Sequence, residues 1–111
     1  MNIPYDSSQL DRVLNALANQ IRRGIIHELS LRPATVGQLA KHHDISLPAI
    51  HRHIRTLEAA NLIVRRKVGR TNFVALNHKT LNLTQKWLMQ YHTEWGSADA
   101  SLENYISRMQ E

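Results

Sequence analysis

Two helix starts follow one another with almost nothing between them, and this juxtaposition restricts the folds open to the chain more than any other feature. Thr35-Val36-Gly37-Gln38 is a capping box, in which the Thr hydroxyl accepts the amide proton three residues on and the Gln side chain reaches back to the cap. It predicts a short helix from about Val36 to His43, anchored by Val36, Leu39 and Ala40. Asp44-Ile45 ends that helix. Ser46 at once offers a new N-cap, with Pro48 in the first turn, where a missing amide proton costs little. Two helices joined by so short a turn must cross, which is helix-turn-helix geometry.

The second helix of the pair is expected from Leu47 to about Ala60. Leu47, Ile50, Ile54 and Leu57 form its apolar stripe, and a rotation of about 100° per residue sets Arg52 roughly opposite. Pro48, Ala49, Arg55 and Thr56 flank Arg52 on the free face. Upstream, Leu10, Val13, Leu14 and Leu17 recur at helical spacing. Asn19 reads as the N-cap of a further helix carrying Ile21, Ile25, Ile26 and Leu29, which stops before Pro33 and leaves Arg22 and Arg23 on its exposed side. Downstream, Asn61 reads as a left-handed C-cap. Leu62-Ile63-Val64 and Asn72-Phe73-Val74-Ala75-Leu76 then flank the segment Arg65 to Thr71, a hairpin with Gly69 at a positive-φ position. From Lys79 to Glu111 the pattern is helical, interrupted near Gly96-Ser97-Ala98-Asp99. The chain of 111 residues, 42% of them hydrophobic, suits one domain with a modest core. The fold class is therefore mainly α: a winged helix-turn-helix with a two-stranded wing. Residues 10–78 are expected to form core and wing, and residues 79–111 a C-terminal helical segment.

Charge narrows the function. Six basic side chains and one acidic side chain lie between Ser46 and His78, whereas the other 78 residues hold eight of each, so the whole formal charge of +5 sits in 33 residues. Such a concentration favours a polyanionic partner. A helix fits the major groove, and small residues around Arg52 and Arg55 let its backbone approach. Ser46, Ala49, His51, Arg52 and Arg55 are the expected base-reading positions, flanked by Pro48 and Thr56. Arg65, Arg66, Lys67, Arg70 and Thr71 are expected on phosphates or in the minor groove, because cations clustered at a loop tip repel one another until an anion neutralises them. The competing account of that hairpin is an edge kept basic to block strand pairing.

Other chemistry finds little support. With no cysteine there is no disulfide and no thiolate metal site. His42 and His43 are adjacent, and on a helix their side chains diverge by about 100°, too far to share a metal. His51 and His53 are equally ill-spaced; His51 is expected to reach DNA and His53 to pack or hydrogen-bond at the core edge. No nucleophile and base pair stands out, so neither catalysis nor a cofactor is expected. Met1 to Leu10 is polar and reads neither as a signal peptide nor as an anchor, which places the chain in the cytoplasm. Trp87, Tyr91 and Trp95 form an aromatic stripe larger than so small a core needs, and a second copy of the chain is its natural cover.

In this order, the helices, the basic hairpin and the aromatic terminal helix resemble the ArsR-type winged-helix repressors. The matching stretches are Ala16 to Arg23, Thr35 to Ala40, Ser46 to Leu57 with His53-Ile54, Ala59 to Ile63, and Gly69-Arg70. The resemblance implies a homodimer that represses transcription from an inverted-repeat operator. It also implies that the first and last helices form the dimer interface, adding Leu10, Leu14, Leu102, Tyr105 and Ile106 to the aromatic stripe. Metal-sensing members carry cysteines on the helix at Val36 to His43, which has none here. A zinc pattern on the last helix would fall on Gln90, His92, Glu103 and Ile106, of which only His92 and Glu103 can ligate. No metal site is expected, and no small-molecule effector is legible. The competing readings are a winged-helix protein-interaction module and a metal- or ligand-gated sensor of the same fold.

Overall fold

The computed structural model describes residues 6–91 and 98–110. Its elements in chain order are α1 (Ser7–Leu17), α2 (Gln20–Leu31), β1 (Ala34–Thr35), α3 (Val36–His42), α4 (Leu47–Ala59), β2 (Ile63–Val68), β3 (Thr71–Leu76), α5 (His78–Met89) and α6 (Ala98–Met109).

Side-chain caps set the helix starts. Asp6, Asn19, Thr35 and Ser46 each accept a backbone amide proton from the first turn of the helix they precede. The Thr35–Gln38 capping box is closed in both directions, at 3.1 and 2.9 Å. Asp44, in the turn between α3 and α4, adopts a left-handed φ of 52°, and Asn61 after α4 one of 59°. Both are residue types that tolerate that region.

The core lies where α1, α2, α3 and α4 meet the inner face of a small sheet. Val13, Ile25, Leu39, Ile50, Ile54, Leu57 and Leu62 are fully buried there, with Val74 from β3 closing the bottom. Two stripes differ from expectation. On α1 the inward residues are Leu10, Val13 and Ala16, and Leu14 is turned outward and 40% exposed. On α4 the stripe begins at Ile50, because Leu47 occupies the first turn ahead of the packed region and is 55% exposed.

The sheet has one strand more than the expected two-stranded wing. It is antiparallel in the order β1-β3-β2, with Ala34 opposite Val74 and Thr35 opposite Phe73. Strands β2 and β3 pair from Ile63 with Leu76 out to Val68 with Thr71. The loop is therefore the two residues Gly69-Arg70, and Gly69 has a φ of +62°, which a tight hairpin of right-twisted strands requires. This pairing corrects the expected loop tip. Arg65, Arg66 and Lys67 are strand residues, and of the four basic side chains only Arg70 is in the turn.

Beyond the wing, α5 ends at Met89, and α6 has exposed side chains throughout residues 102–110. The Cα radius of gyration is 18.9 Å, against about 13 Å for a compact chain of this length.

Candidate nucleic-acid interface

The first turns of α4 and the tip of the wing meet at one groove. Ser46, Pro48, Arg52 and Arg55 are exposed, and Ala49, His51 and Thr56 are half-buried. The guanidinium groups of Arg52 and Arg55 have no ion-pair or hydrogen-bond partner among the described residues. Two hydroxyls are already engaged: Ser46 Oγ accepts from Ala49 N at 3.2 Å, and Thr56 Oγ1 donates to the Arg52 carbonyl at 3.1 Å. A hydroxyl that donates within its own helix retains only acceptor capacity toward a ligand.

An open groove joins the helix to the wing. Thr35, Val36 and Gly37 at the start of α3, Leu47 and His51 on α4, and Arg70, Thr71 and Asn72 at the wing tip line it. It brings together His51, Arg70 and Thr71 from the expected set, and adds residues that sequence reading passed over. Leu47 had been assigned to the core by its spacing. Its position at the first residue after the cap, ahead of the helix's packed turns, was the available signal.

The basic residues of the wing do not form one patch. Successive strand residues face opposite sides, so Arg65 and Lys67 share the inner side with buried Ile63, and Arg66 shares the outer side with Val64 and Val68. Arg65 is turned onto α4, donating to Glu58 through Nε at 3.3 Å and Nη2 at 2.5 Å, with both side chains partly buried. Its charge is thus balanced inside the chain. On the outer side, Val64, Arg66, Phe73 and Ala75 with Pro33 line a largely apolar depression.

Arg22 is also placed differently from the exposed side expected of it. It is half-buried, and its guanidinium donates to the carbonyls of Ala16 at 2.6 Å and Asn15 at 3.2 Å, closing the α1–α2 corner. Its Nη1 stands 3.4 Å from His53 Nδ1 on α4. Burial first, then the charges of Arg22, Arg52 and His43, hold the His53 imidazole below its ordinary pKa and favour the neutral ring.

The two adjacent histidines do not diverge as two consecutive helical residues would. His43 is the C-cap of α3, outside the helix, and the Nε2 atoms of His42 and His43 both approach Glu28 Oε1. Among the described residues no group of three His, Asp or Glu could hold a metal ion. Glu103 and Ile106 lie on α6 with exposed side chains, and His92 and Trp95 lie outside the described residues. Of the interface residues expected on the terminal helices, Trp87 is half-buried with Tyr91 edge-on at 5.4 Å, while Leu102, Tyr105 and Ile106 are exposed. Leu10 is 7% exposed within its own chain and so has little surface left for a partner.

A family model described as a helix-turn-helix domain matches residues 17–66. Among solved structures, an ArsR family transcriptional regulator is 35% identical, covers 78% of this chain and 89% of its own, and superposes with a TM-score of 0.72. The chain belongs to the ArsR family. HlyU of Vibrio cholerae has the same architecture at 25% identity and a TM-score of 0.64, over 79% of this chain and 97% of its own. The transcriptional repressor SdpR of Bacillus subtilis is 28% identical over 82 residues, 74% of this chain and 91% of SdpR. The HTH-type transcriptional regulator Rv2034 of Mycobacterium tuberculosis is 39% identical over 59 residues, 53% of this chain and 55% of that protein. The chain thus matches about half the length of this mycobacterial relative. The winged helix-turn-helix of the ArsR family accounts for the order of α1 to α5 and for the hairpin, and among the described residues no helix is long and apolar enough to cross a membrane.

Proposed function

We propose that this ArsR-family chain is a cytoplasmic, homodimeric, sequence-specific repressor that binds an inverted-repeat operator and blocks the promoter it covers. The observation that carries the reading is the exposed pair Arg52 and Arg55, without counter-charges, on the face of α4 opposite Ile50, Ile54 and Leu57. Two uncompensated guanidinium groups on a helix preceded by a tight turn suit guanine edges and phosphates in a major groove. Ser46, Ala49 and His51 share that face, with Pro48 and Thr56 at its margins. Arg66, Lys67, Arg70 and Thr71 supply phosphate or minor-groove contacts from the wing, and Arg65 acts mainly through Glu58. SdpR, named a transcriptional repressor, lends weight to repression as the outcome.

Residues 1–111 act as one domain in this reading, with residues 79–111 as the dimerisation segment. Leu14 on α1, Leu88 on α5, Tyr91 just after it, and Leu102, Tyr105 and Ile106 on α6 are exposed in the single chain, and a second copy covers them. Trp87 and Leu10 support that surface from beneath, and Trp95 is assigned to it by its spacing in the sequence alone. Two-fold symmetry then sets the α4 helices about one DNA turn, roughly 34 Å, apart.

Selection of bound duplexes from a random pool, followed by a salt titration on the winner, tests the reading. An inverted repeat should emerge, with affinity falling steeply as salt rises. Failure to retain any duplex in dilute buffer, or affinity indifferent to salt, overturns it in favour of a protein-interaction module.

A further inference from the structure

The outer face of the wing's sheet is uncovered in the single chain. Val64 and Val68 on β2 and Phe73 on β3 stand on it, and each is exposed. The strand register gathers them: Val64 lies opposite Ala75, and Arg66 opposite Phe73. With Pro33 they border an open depression of about 470 Å³, within the roughly 300–1,000 Å³ of small-molecule sites. Apolar side chains scattered singly over a surface are ordinary, whereas a contiguous apolar patch with a polar rim marks a binding surface.

One lining group is charged. Arg66 is exposed, and its guanidinium has no ion-pair or hydrogen-bond partner among the described residues. The neighbouring guanidinium of Arg65 is occupied by Glu58, and no acidic side chain lines the depression. A single unmatched positive charge thus borders an apolar floor. Its complement is a molecule with one anionic group on an apolar body.

Three occupants can be compared on that basis. A second copy of the chain would bring its own unpaired Arg66 into the same contact, and like charges set together in an interface are costly. Duplex phosphates match the guanidinium but leave the valines and the phenylalanine uncovered. A flat aromatic acid meets both demands. Its ring lies against Phe73 in the offset or edge-on manner that aromatic pairs favour, and its carboxylate accepts two parallel hydrogen bonds from the guanidinium fork.

We propose that the outer face of the wing binds one small aromatic carboxylate per chain, with Arg66 holding the carboxylate and Phe73 and Val64 holding the ring. Arg66 is also among the cations that the proposed function sets on the DNA backbone, so an occupied site withdraws one of them from the duplex. The binding site itself stands without that reading, because uptake of the acid is measured with no DNA present.

Naphthoate is the probe, titrated calorimetrically into the full chain, with naphthylmethanol as its uncharged counterpart and backbone amide shifts followed in parallel. One naphthoate per chain is expected, with the largest shifts at Val64, Arg66, Phe73 and Ala75. The alcohol should bind at least about tenfold more weakly. Arg66→Gln should lower naphthoate affinity to the level of the alcohol, and Val64→Ser should weaken both probes severalfold. Lys79→Ala, which removes a cation from α5, should change neither. Arg66 and Val64 are exposed, so both replacements spare the core. No naphthoate uptake, equal affinity for acid and alcohol, or uptake unchanged by both Arg66→Gln and Val64→Ser overturns the proposal.

Discussion

Arg65 of the wing and Glu58 of α4 form a two-pronged ion pair that ties the first strand of the hairpin to the last turn of the second helix of the helix-turn-helix. The pair spans only seven residues of sequence, but it spends the charge of one wing cation inside the protein. In a double-mutant cycle of Arg65→Ala and Glu58→Gln, the coupling energy should be about 0.5–1 kcal/mol, as for other partly exposed pairs. Arg65→Ala should also leave the salt dependence of DNA binding nearly unchanged, whereas Lys67→Ala lowers the slope by about 1 for each chain of the proposed dimer. A slope reduced equally by both would show that Arg65 leaves Glu58 for a phosphate.

Arg52, proposed above to read a base, is exposed and has no side-chain partner among the described residues. Arg52→Ala should weaken the selected operator by about 1–3 kcal/mol and relax preference at one position of each half-site. Binding measured on the operator and on single-base variants checks this. An unchanged preference would mean that a different face of α4 meets the bases.

His53 couples stability to pH. Its folded-state pKa lies below the ordinary histidine value because of burial, and then because of Arg22, Arg52 and His43. The unfolded chain therefore takes up the proton first as pH falls, so this contribution is complete above about pH 6.5 and is lost on acidification from there toward the lowered folded value. Melting temperatures between pH 7.5 and 5.5, run as a series in steps of about 0.5, should fall more steeply for the native chain than for His53→Gln. Parallel curves would remove His53 as the cause.

Exposed apolar side chains on α5 and α6 should hold the dimer. Burying a leucine or isoleucine side chain contributes about 1.5–3 kcal/mol. Leu88→Asp and Ile106→Asp are accordingly expected to raise the dimer dissociation constant roughly tenfold to a hundredfold each. Sedimentation equilibrium measures this directly, and a monomeric native chain would refute the assignment.

What could be read from sequence was local. Asn19, Thr35 and Ser46 cap the helices assigned to them, and Asn61 and Gly69 have the positive φ their positions called for. A cap or a tight turn is decided by residues within three or four of one another, so a short window contains the whole cause. What escaped was settled by distant partners. Two residues, Ala34 and Thr35, carry no periodicity from which a strand can be recognised, and β1 exists because β3 returns alongside it. Arg22 has the spacing of a surface residue and is drawn inward by carbonyls at the end of α1. Leu47 has the spacing of a core residue, but nothing covers the helix that early. For the candidate interface, the helix face was legible from rotation alone. The division of Arg65 from Lys67 depends on Glu58, and the meeting of Glu28 with two histidines depends on His43 standing just outside its helix.

Thr35 belongs to two structures at once: it is a rung of the wing's sheet opposite Phe73 and the cap on which α3 begins. The hairpin consequently has no joint of its own; wherever α3 and α4 tilt, it is carried with them. In the proposed dimer, therefore, wing and helix pair would reach a duplex as one piece, and the distance between the two copies would set how both meet it.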